Sequence, residues 1–264
     1  MAWRSVLFVP GNRLDLAAKA SRCSPDVVVI DLEDAIPAAA KSDARETACR
    51  LAEGLGQSSK VWVRVNAPSS PWFRDDIDSL PGDLDAVVIP KWEASIDTRF
   101  PMIAGLETVR GIADAREVLS NNAHEALPHR VVGCYFGAED YIADLGGVRT
   151  PANGEVHHAR NVVAIAARLA GIPALDMVTL DFADDARFQG EAAQARALGY
   201  AGKLCIHPRQ VELANQAFVP TPDEVEHAAR LIAAFEAGGG AVVAFEGQMV
   251  DEVVAKLARR VLVR

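Results

Sequence analysis

The sequence lacks several features that would place it in whole classes of protein. It has only four cysteines among 264 residues, and no two share a C-x-x-C spacing, so a zinc site is not expected. Cys134 and Cys205 lie in apolar runs and are expected to be buried thiols rather than partners in a disulfide. No apolar run approaches the roughly 20 residues of a membrane span, and residues 1–5 show no signal-peptide pattern. A cytoplasmic protein that does not enter membranes is therefore expected.

The sequence also lacks an excess of basic residues. Lys and Arg number 27 against 36 Asp and Glu, which gives a net charge of -9. An acidic surface repels phosphate backbones, so nucleic-acid binding is not expected, although a local basic pocket for a small phosphorylated ligand is compatible with this charge. No G-x-G-x-x-G motif follows a predicted strand, which argues against a doubly wound dinucleotide-binding sheet.

Short apolar runs recur along the chain, and helix-like segments separate most of them. The runs cover residues 6–9, 27–32, 61–65, 86–89, 102–106, 131–136, 175–180 and 203–206. They are β-branched or almost continuously apolar, which is typical of parallel strands buried on both faces. Intervening segments rich in Ala, Leu, Glu and Arg predict amphipathic helices over residues 14–21, 38–53, 109–119, 156–170 and 191–198. Eight such units predict an α/β protein with a (β/α)8 TIM barrel, and only a small or irregular helix fits between residues 91 and 101.

The pattern changes after the eighth strand. We therefore predict a barrel domain over residues 1–218 and a C-terminal helical extension over residues 219–264, expected to pack on a neighbouring subunit. Pro220, Pro222 and Asp223 suit the start of a helix that ends near residue 237, before three glycines. A second helical pattern follows residue 251.

Polar and charged residues stand where each predicted strand ends. In chain order they are Arg13, Asp31, Glu33, Asp34, Arg64, Asn66, Lys91, Glu107, Glu139, Asp140, Asp181 and His207. The carboxyl ends of barrel strands meet at one mouth, where several carboxylates repel one another unless a cation is present. Oxygen ligands select hard cations such as Mg²⁺ or Mn²⁺. Glu107 and Asp140 end neighbouring strands and are predicted to share one ion.

Each of these residues has a simpler explanation when it is taken alone. Asp34 and Asp140 precede plausible helices, where an acid is often an N-cap. Arg64 would serve equally as a structural ion-pair partner of Asp31 or Glu33. A histidine such as His207 can end a strand with its ring on the surface. The complete set of acids around one arginine favours a functional site.

Seven motifs stand in the order found in one known family. They are Leu7-Phe-Val-Pro-Gly-Asn-Arg13, Asp31-Leu-Glu-Asp-Ala35, Val63-Arg-Val-Asn66, Leu106-Glu-Thr108, Gly137-Ala-Glu-Asp140, Cys205-Ile-His-Pro208 and Phe245-Glu-Gly-Gln-Met-Val-Asp251. Over nearly its whole length the chain resembles the citrate lyase β-subunit-like proteins of the HpcH/HpaI aldolase superfamily, which are related to malyl-CoA and citramalyl-CoA lyases. It departs from them in a shorter link between strands four and five and in a longer stretch over residues 121–130.

The resemblance implies a Mg²⁺-dependent carbon–carbon lyase, usually a homotrimer. Such an enzyme cleaves or forms a 3-hydroxyacyl-CoA thioester, with acetyl-CoA and an α-keto acid as the partners, through an enolate. By motif position Glu107 and Asp140 resemble metal ligands, and with Arg64 they would bind substrate. Arg64 resembles the residue that stabilises the enolate, and Asp251 resembles a catalytic acid/base that a neighbouring subunit often delivers.

The resemblance also assigns supporting roles. Asp31, Glu33 and Asp34 match acids that orient Arg64 and the water around the metal. Positions that contact CoA or the substrate in malyl-CoA lyases match Phe8, Arg13, Lys19, Ile206 and His207.

Three other functions stay open from the sequence. The chain could be a pyruvate-type aldolase acting on free aldehydes without CoA, or a citrate lyase β subunit acting on an acyl-carrier thioester. It could also be a non-catalytic barrel that binds CoA or another metabolite. The acyl group is not decided by the sequence.

Overall fold

The computed structural model describes residues 3–20, 22–55, 60–123 and 130–263, without the side chain of Ala18. Ser21, at the end of the helix predicted over residues 14–21, lies outside the described residues, as does most of the 121–130 stretch. The chain divides into two compact units, Met1–Gln216 and Ala217–Arg264.

Eight parallel strands form the centre of the first unit and confirm the predicted barrel. They are β1 (Ser5–Pro10), β2 (Val27–Asp31), β3 (Lys60–Arg64), β4 (Ala86–Ile89), β5 (Met102–Leu106), β6 (Val131–Phe136), β7 (Ala174–Asp176) and β8 (Gly202–Cys205). Each strand pairs with the next in the chain, and β8 pairs with β1 to close the sheet. Alternate side chains, among them Val29, Trp62, Val88 and Leu204, fill the barrel interior. Burial of these large apolar side chains is the main stabilising term for the barrel.

The seventh strand is shorter than the predicted run over residues 175–180, and that prediction was wrong beyond Asp176. The carbonyl oxygens of Met177 and Thr179 accept hydrogen bonds from the side chains of Lys203 (2.6 Å) and Gln210 (2.8 Å). Because these side chains take the place of a neighbouring strand, the backbone leaves the sheet early. Asp181, expected to close this strand, lies in an exposed loop.

Helices cover the outside of the barrel. They are α1 (Leu14–Ala20), α2 (Lys41–Leu55), α3 (Phe73–Ser79), α4 (Val109–Ala113), α5 (Ala115–Asn122), α6 (Ala138–Leu145), α7 (His157–Ala170), α8 (Asp185–Leu198) and α9 (Pro208–Ala217). Short 3₁₀ turns precede α2 and α7 at Ala38–Ala40 and Gly154–Val156. Between β4 and β5, residues 92–101 contain no helix, in keeping with the small or irregular connection that the sequence predicts.

Two helix predictions need correction. The single helix expected over residues 109–119 divides into α4 and α5, because Asp114 leaves the helical conformation at φ -96° and ψ 6°. The helix expected over residues 191–198 begins at Asp185, where the side chain of Asp184 accepts a hydrogen bond from the backbone N–H of Arg187.

The second unit contains α10 (Pro222–Ala237), β9 (Val243–Phe245), β10 (Gln248–Val250) and α11 (Glu252–Val263). A capping box between Thr221 and Glu224 starts α10. The antiparallel β9–β10 hairpin was not predicted from the sequence. Its turn residues Glu246 and Gly247 have φ values of 50° and 80°. Within the described part of the chain, no helix combines the length and apolar character needed to cross a membrane.

Candidate active site at the carboxyl ends of the strands

A cavity of about 360 Å³ lies at the carboxyl ends of the barrel strands. Its polar lining comprises Asp31, Asp34, Arg64, Glu107, Glu139 and Asp140. Its apolar lining includes Phe8, Tyr135, Phe136, Val178, Leu180, Leu204 and Ile206. The volume lies in the range of small-molecule sites. Of the acids predicted at the strand ends, those that line the cavity are Asp31, Asp34, Glu107, Glu139 and Asp140.

Arg64 is fixed at the end of β3 by the acids that follow β2. Its Nε and Nη2 each donate to a different oxygen of Asp31 at 2.7 Å, and Nη1 lies 3.1 Å from Glu33 Oε2. The guanidinium also lies 5.1 Å from the ring centre of Phe8. Burial by itself lowers the pKa of Arg64, but the charges of Asp31 and Glu33 outweigh it and hold the pKa well above its ordinary value. The ion pairs of Arg64 with Asp31 and Glu33 that the sequence allowed are therefore present. They hold a permanently charged guanidinium at the lining of the cavity.

Glu107 follows β5 and is almost completely buried. Its Oε1 accepts hydrogen bonds from the backbone N–H of Lys91 and from the hydroxyl of Tyr135, both at 2.9 Å. Burial raises the pKa of Glu107 to about 7, and the nearby charges of Glu33 and Asp140 add to this effect. A carboxyl group poised near neutral pH in a cavity is typical of a functional site.

Lys91 joins three of the acids, and no role was predicted for it from the sequence. Its Nζ lies 2.7 Å from Glu33 Oε1 and 3.3 Å from Asp140 Oδ1, while its backbone N–H binds Glu107. The residue has a left-handed φ of 50°, which costs energy for a lysine and is typical of constrained functional positions. The sequence signal that could have identified Lys91 was its position directly after β4, at the same barrel mouth as the acids.

Lys41 holds the loop that carries Glu33, and it was also missed. Its buried Nζ donates to the carbonyl oxygens of Leu32 (2.7 Å) and Glu33 (2.6 Å) and to Asn66 Oδ1 (2.6 Å). Asn66 is held in turn by the carboxylate of Asp76. Since a buried ammonium needs all of these acceptors, the loop after β2 has little freedom to move.

The N-cap explanation is wrong for both Asp34 and Asp140. Helix α6 begins after Gly137, which makes no side-chain cap, and Asp140 is the third residue of the helix. Asp34 is exposed and lines the cavity, while the turn after it has Pro37 as its N-cap. Neither carboxylate is therefore engaged in capping a helix.

Gly137 gives Glu107 the space that its carboxylate occupies. A Cβ at this position would lie 2.6 Å from the Cβ of Glu107 and would overlap Glu107 Oε2. The backbone of Gly137, at φ -101°, accepts any residue, so the restriction is steric. Glycine here is a requirement of the site rather than of the turn.

The Gly137→Ala variant is expected to weaken Mg²⁺ binding at least about tenfold, because the added methyl group displaces a candidate ligand. Isothermal titration calorimetry measures this affinity. The matched control is Gly190→Ala on the exposed face of α8, where a Cβ meets nothing within 4 Å and Mg²⁺ affinity is expected to stay unchanged. Equal affinities for the two variants would contradict the steric role of Gly137.

Mg²⁺ affinity is also expected to fall about tenfold from pH 8 to pH 6, because Glu107, with its pKa of about 7, must release a proton before it binds the ion. This pKa is raised above the ordinary 4.5, so the stability that Glu107 contributes is complete below pH 4.5 and is lost as the pH rises through 7. Calorimetry in buffers of different ionisation enthalpy measures the released proton. Affinity that does not vary with pH, without proton release, would show that Glu107 holds no proton before the ion binds.

The residues predicted to contact CoA are only partly brought together. Phe8 and Ile206 line the cavity, and the half-exposed ring of His207 stacks on Phe182 at 4.9 Å without lining it. Arg13 is exposed and paired with Asp15 at 2.8 Å, and Lys19 is exposed in the last turn of α1. The cavity therefore includes the apolar members of this set.

Asp251 belongs to the second unit. Its Oδ1 accepts a hydrogen bond from the backbone N–H of Val254 at 3.0 Å, so the carboxylate caps the first turn of α11. The side chain is half-buried.

The polar half of the cavity fits a divalent cation. When Glu107 is ionised, the carboxylates of Asp31, Glu33, Glu107 and Asp140 face two cations, Arg64 and Lys91, which leaves an excess of two negative charges. Glu33 Oε2 is buried and has no hydrogen-bond donor among the described residues, because Arg64 Nη1 approaches it without hydrogen-bond geometry.

The ligand chemistry of this half is also that of a hard cation. In the described residues no group of three or more Asp, Glu, His or Cys side chains is placed to hold a metal ion by itself. Glu107 and Asp140 offer two oxygen ligands, which is the number that Mg²⁺ commonly takes from a protein, with water or substrate completing its shell.

Fold and site together define a (β/α)8 barrel with an acid-rich mouth built around one arginine. The sequence matches the HpcH/HpaI aldolase/citrate lyase family over residues 4–99 and 93–208. The chain belongs to this family, as the motif order predicted.

Similar proteins support the assignment. The chain is 48% identical to a citrate lyase subunit beta-like protein of Deinococcus radiodurans, over 98% of this chain and 96% of that protein. It is 32% identical to a (3S)-malyl-CoA thioesterase of Cereibacter sphaeroides, over 99% of this chain and 94% of that one. The Mycobacterium tuberculosis protein CitE, solved with magnesium, acetoacetate and coenzyme A, superposes with a TM-score of 0.85 at 33% identity, covering 99% of this chain and 97% of that chain.

Proposed function

We propose that this protein is a Mg²⁺-dependent carbon–carbon lyase that cleaves or forms a 3-hydroxyacyl-CoA thioester such as malyl-CoA or citramalyl-CoA. The observation that carries the proposal is the joined set of Arg64, Glu33, Lys91, Glu107 and Asp140 at the barrel mouth. The excess of negative charge at this site suits a reaction that needs a metal ion. Its fixed guanidinium suits a reaction in which negative charge develops on oxygen. The trimeric assembly, the cytoplasmic location and the use of Mn²⁺ stay predictions.

Glu107 and Asp140 would hold the ion and the α-keto acid fragment. When bound, Mg²⁺ supplies a Lewis acid that polarises the carbonyl group formed at the broken bond. The N-terminus of α6 lines the same cavity without a side-chain cap, so its first N–H groups are available to the carboxylate of the keto acid. Together these groups fix the substrate end that contains the reacting carbon.

Arg64 would stabilise the negative charge that develops on oxygen. Its two bonds to Asp31 fix the plane of the guanidinium, and the N–H groups facing the cavity remain for the substrate. A donor that is already oriented does not have to reorganise as the Cα–Cβ bond breaks, and this is where such groups contribute most. Phe8 and the apolar side chains after β7 and β8 would exclude water from the thioester enolate.

Asp251 would exchange the proton at the enolate carbon. During cleavage the substrate hydroxyl would give up its proton to water and Asp251 would give a proton to the enolate carbon. During synthesis Asp251 would remove a proton from the methyl group of acetyl-CoA, and the new alkoxide would take a proton from water. Motif position and the half-buried carboxylate support this role. Delivery by a neighbouring subunit stays a prediction.

The Asp251→Asn variant is expected to lose exchange of acetyl-CoA methyl protons with D₂O by at least about a hundredfold, because the amide cannot accept the proton. Asparagine caps helices as well as aspartate does, so α11 should stay intact. NMR measures the exchange, and calorimetry checks that Mg²⁺-dependent pyruvate binding survives. Unchanged exchange would remove Asp251 from the mechanism.

A second candidate function is hydrolysis of the thioester bond, favoured by the similarity to a malyl-CoA thioesterase. A panel of malyl, citramalyl and hydroxymethylglutaryl thioesters with Mg²⁺ separates the two reactions. The lyase releases a keto acid and an acyl-CoA without free thiol, whereas hydrolysis releases free CoA thiol and the intact hydroxy acid. Free thiol as the first product would replace the lyase proposal with the hydrolytic one.

A further inference from the structure

Tyr135 is a buried tyrosine of the barrel interior whose hydroxyl reaches the candidate metal site. The residue lies on β6, packs in the central apolar core and also lines the cavity. Its hydroxyl donates a hydrogen bond to Glu107 Oε1 at 2.9 Å. A buried phenol needs an acceptor, and the carboxylate supplies it. No step of the proposed reaction uses this hydroxyl.

Two glycines leave the space in which Tyr135 and Glu107 meet. Gly105 is the residue of β5 that pairs with Tyr135, and a Cβ there would overlap the hydroxyl and lie 2.7 Å from Cζ of the ring. Gly137 makes room for the Glu107 carboxylate in the same way. The contact between the hydroxyl and the carboxylate therefore depends on glycine at both positions.

The two oxygens of the Glu107 carboxylate are unequally engaged. Oε1 accepts the hydroxyl of Tyr135 and the backbone N–H of Lys91, both at 2.9 Å. A carboxylate oxygen has about two lone pairs, so these two donors occupy the hydrogen-bonding capacity of Oε1. Neither of them bonds to Oε2, and Glu107 therefore offers a metal ion one free oxygen.

Mg²⁺ and Ca²⁺ differ in how they use a carboxylate. Mg²⁺ demands a near-ideal octahedron with oxygens at about 2.0–2.1 Å, and the two oxygens of one carboxylate lie too close together to fit it well. Ca²⁺ takes about six to eight oxygens at about 2.3–2.6 Å and often binds both oxygens of one carboxylate. A carboxylate with one oxygen engaged elsewhere therefore suits Mg²⁺ and denies Ca²⁺ a ligand.

We propose that Tyr135 is a positioning residue that makes the site selective for Mg²⁺ over Ca²⁺ by occupying Oε1 of Glu107. This inference rests on the proposed function, which places Mg²⁺ at Glu107 and Asp140. Because Tyr135 lines the cavity, removal of its hydroxyl would open a lone pair of Oε1 to the site. One oxygen of the second carboxylate is also engaged, since Lys91 Nζ lies 3.3 Å from Asp140 Oδ1.

The Tyr135→Phe variant tests the inference, because phenylalanine keeps the ring and removes only the hydroxyl. Isothermal titration calorimetry of the full-length protein at pH 8, with MgCl₂ and separately with CaCl₂, measures the ratio of the two affinities. The wild type is expected to bind Mg²⁺ at least about tenfold more tightly than Ca²⁺, and the variant is expected to shift this ratio toward Ca²⁺ at least about fivefold. Both ions need the same ionised carboxylate, so altered ionisation of Glu107 or a looser fold would change both affinities alike and leave the ratio unchanged.

The matched control is Tyr200→Phe, which removes another buried hydroxyl. The Tyr200 hydroxyl donates to the backbone carbonyl oxygen of Arg160 at 2.9 Å, and the residue does not line the cavity. This variant is expected to keep the wild-type ratio of affinities. Circular dichroism checks that both variants are folded.

Each outcome separates this inference from the proposed function. An unchanged ratio in Tyr135→Phe, or an equal shift in Tyr200→Phe, would overturn the role of the Tyr135 hydroxyl. Equal affinities of the wild type for Mg²⁺ and Ca²⁺ would overturn the inference and leave the lyase proposal in place. Binding of neither ion by the wild type would overturn the proposed metal site, and the inference with it.

Discussion

The Glu107→Gln variant is expected to lose Mg²⁺-dependent pyruvate binding by at least about a hundredfold, because the ion loses a charged ligand. Glutamine keeps the size of the side chain and still offers an oxygen to the N–H of Lys91 and the hydroxyl of Tyr135. The substitution also neutralises a buried acid, so the fold should be retained. Calorimetric titration with Mg²⁺ and pyruvate measures the loss.

The matched control is Glu117→Gln, which makes the same chemical change on the exposed face of α5. This variant is expected to bind Mg²⁺ and pyruvate as the wild type does. If Glu107→Gln keeps wild-type affinity, Glu107 is not a metal ligand, and its raised pKa has another purpose.

The Arg64→Lys variant is expected to lower kcat by about 10² to 10³, the usual effect of removing an oriented donor to a developing oxyanion. An ammonium group cannot make the two-point contact with Asp31 and still donate to the substrate in a fixed direction. Steady-state kinetics at saturating Mg²⁺ should show the larger loss in kcat rather than in KM. Because arginine and lysine are both cationic, this variant separates the effect of donor orientation from the effect of charge.

Arg50→Lys, on the exposed surface of α2, is the control for this substitution and is expected to leave the kinetics unchanged. A kcat within about threefold of the wild type in Arg64→Lys would mean that charge alone is sufficient and that the contact with Asp31 is structural.

The barrel was predictable from the sequence because each strand is buried on both faces, which produces a continuous apolar run. All five residues of β2 are buried, and the bounds of β4 and β5 agree with the predicted runs. The end of the seventh strand was not predictable, because it depends on Lys203 and Gln210, which are distant in sequence.

The acids of the site were predictable from their positions after strands, whereas the residues that join them were not. Lys91 acquires its importance from a left-handed backbone and from partners in the segments that follow β2, β5 and β6. Lys41 sits in a helix, where a lysine is usually solvated, and only the fold buries its Nζ against three acceptors. Such roles depend on contacts across the barrel, which periodicity does not encode.

The proposed role of Asp251, unlike those of Lys91 and Lys41, was predicted from the sequence and not from contacts in the fold. Its local geometry is that of a helix cap, and its proposed chemistry comes from motif order in the family. The hairpin before it was readable in principle from Glu246-Gly247, a pair suited to a tight turn.

The metal-dependent formation of an enolate is the central claim, and isotope exchange tests it most directly. Acetyl-CoA incubated in D₂O with the wild-type protein and Mg²⁺ is expected to exchange its methyl protons, as followed by NMR. Chelation of the metal is expected to stop the exchange, because the uncompensated charge of the acids would oppose an enolate in the cavity, and renewed Mg²⁺ is expected to restore it. Exchange that continues without the metal, or that never occurs with it, would contradict the account.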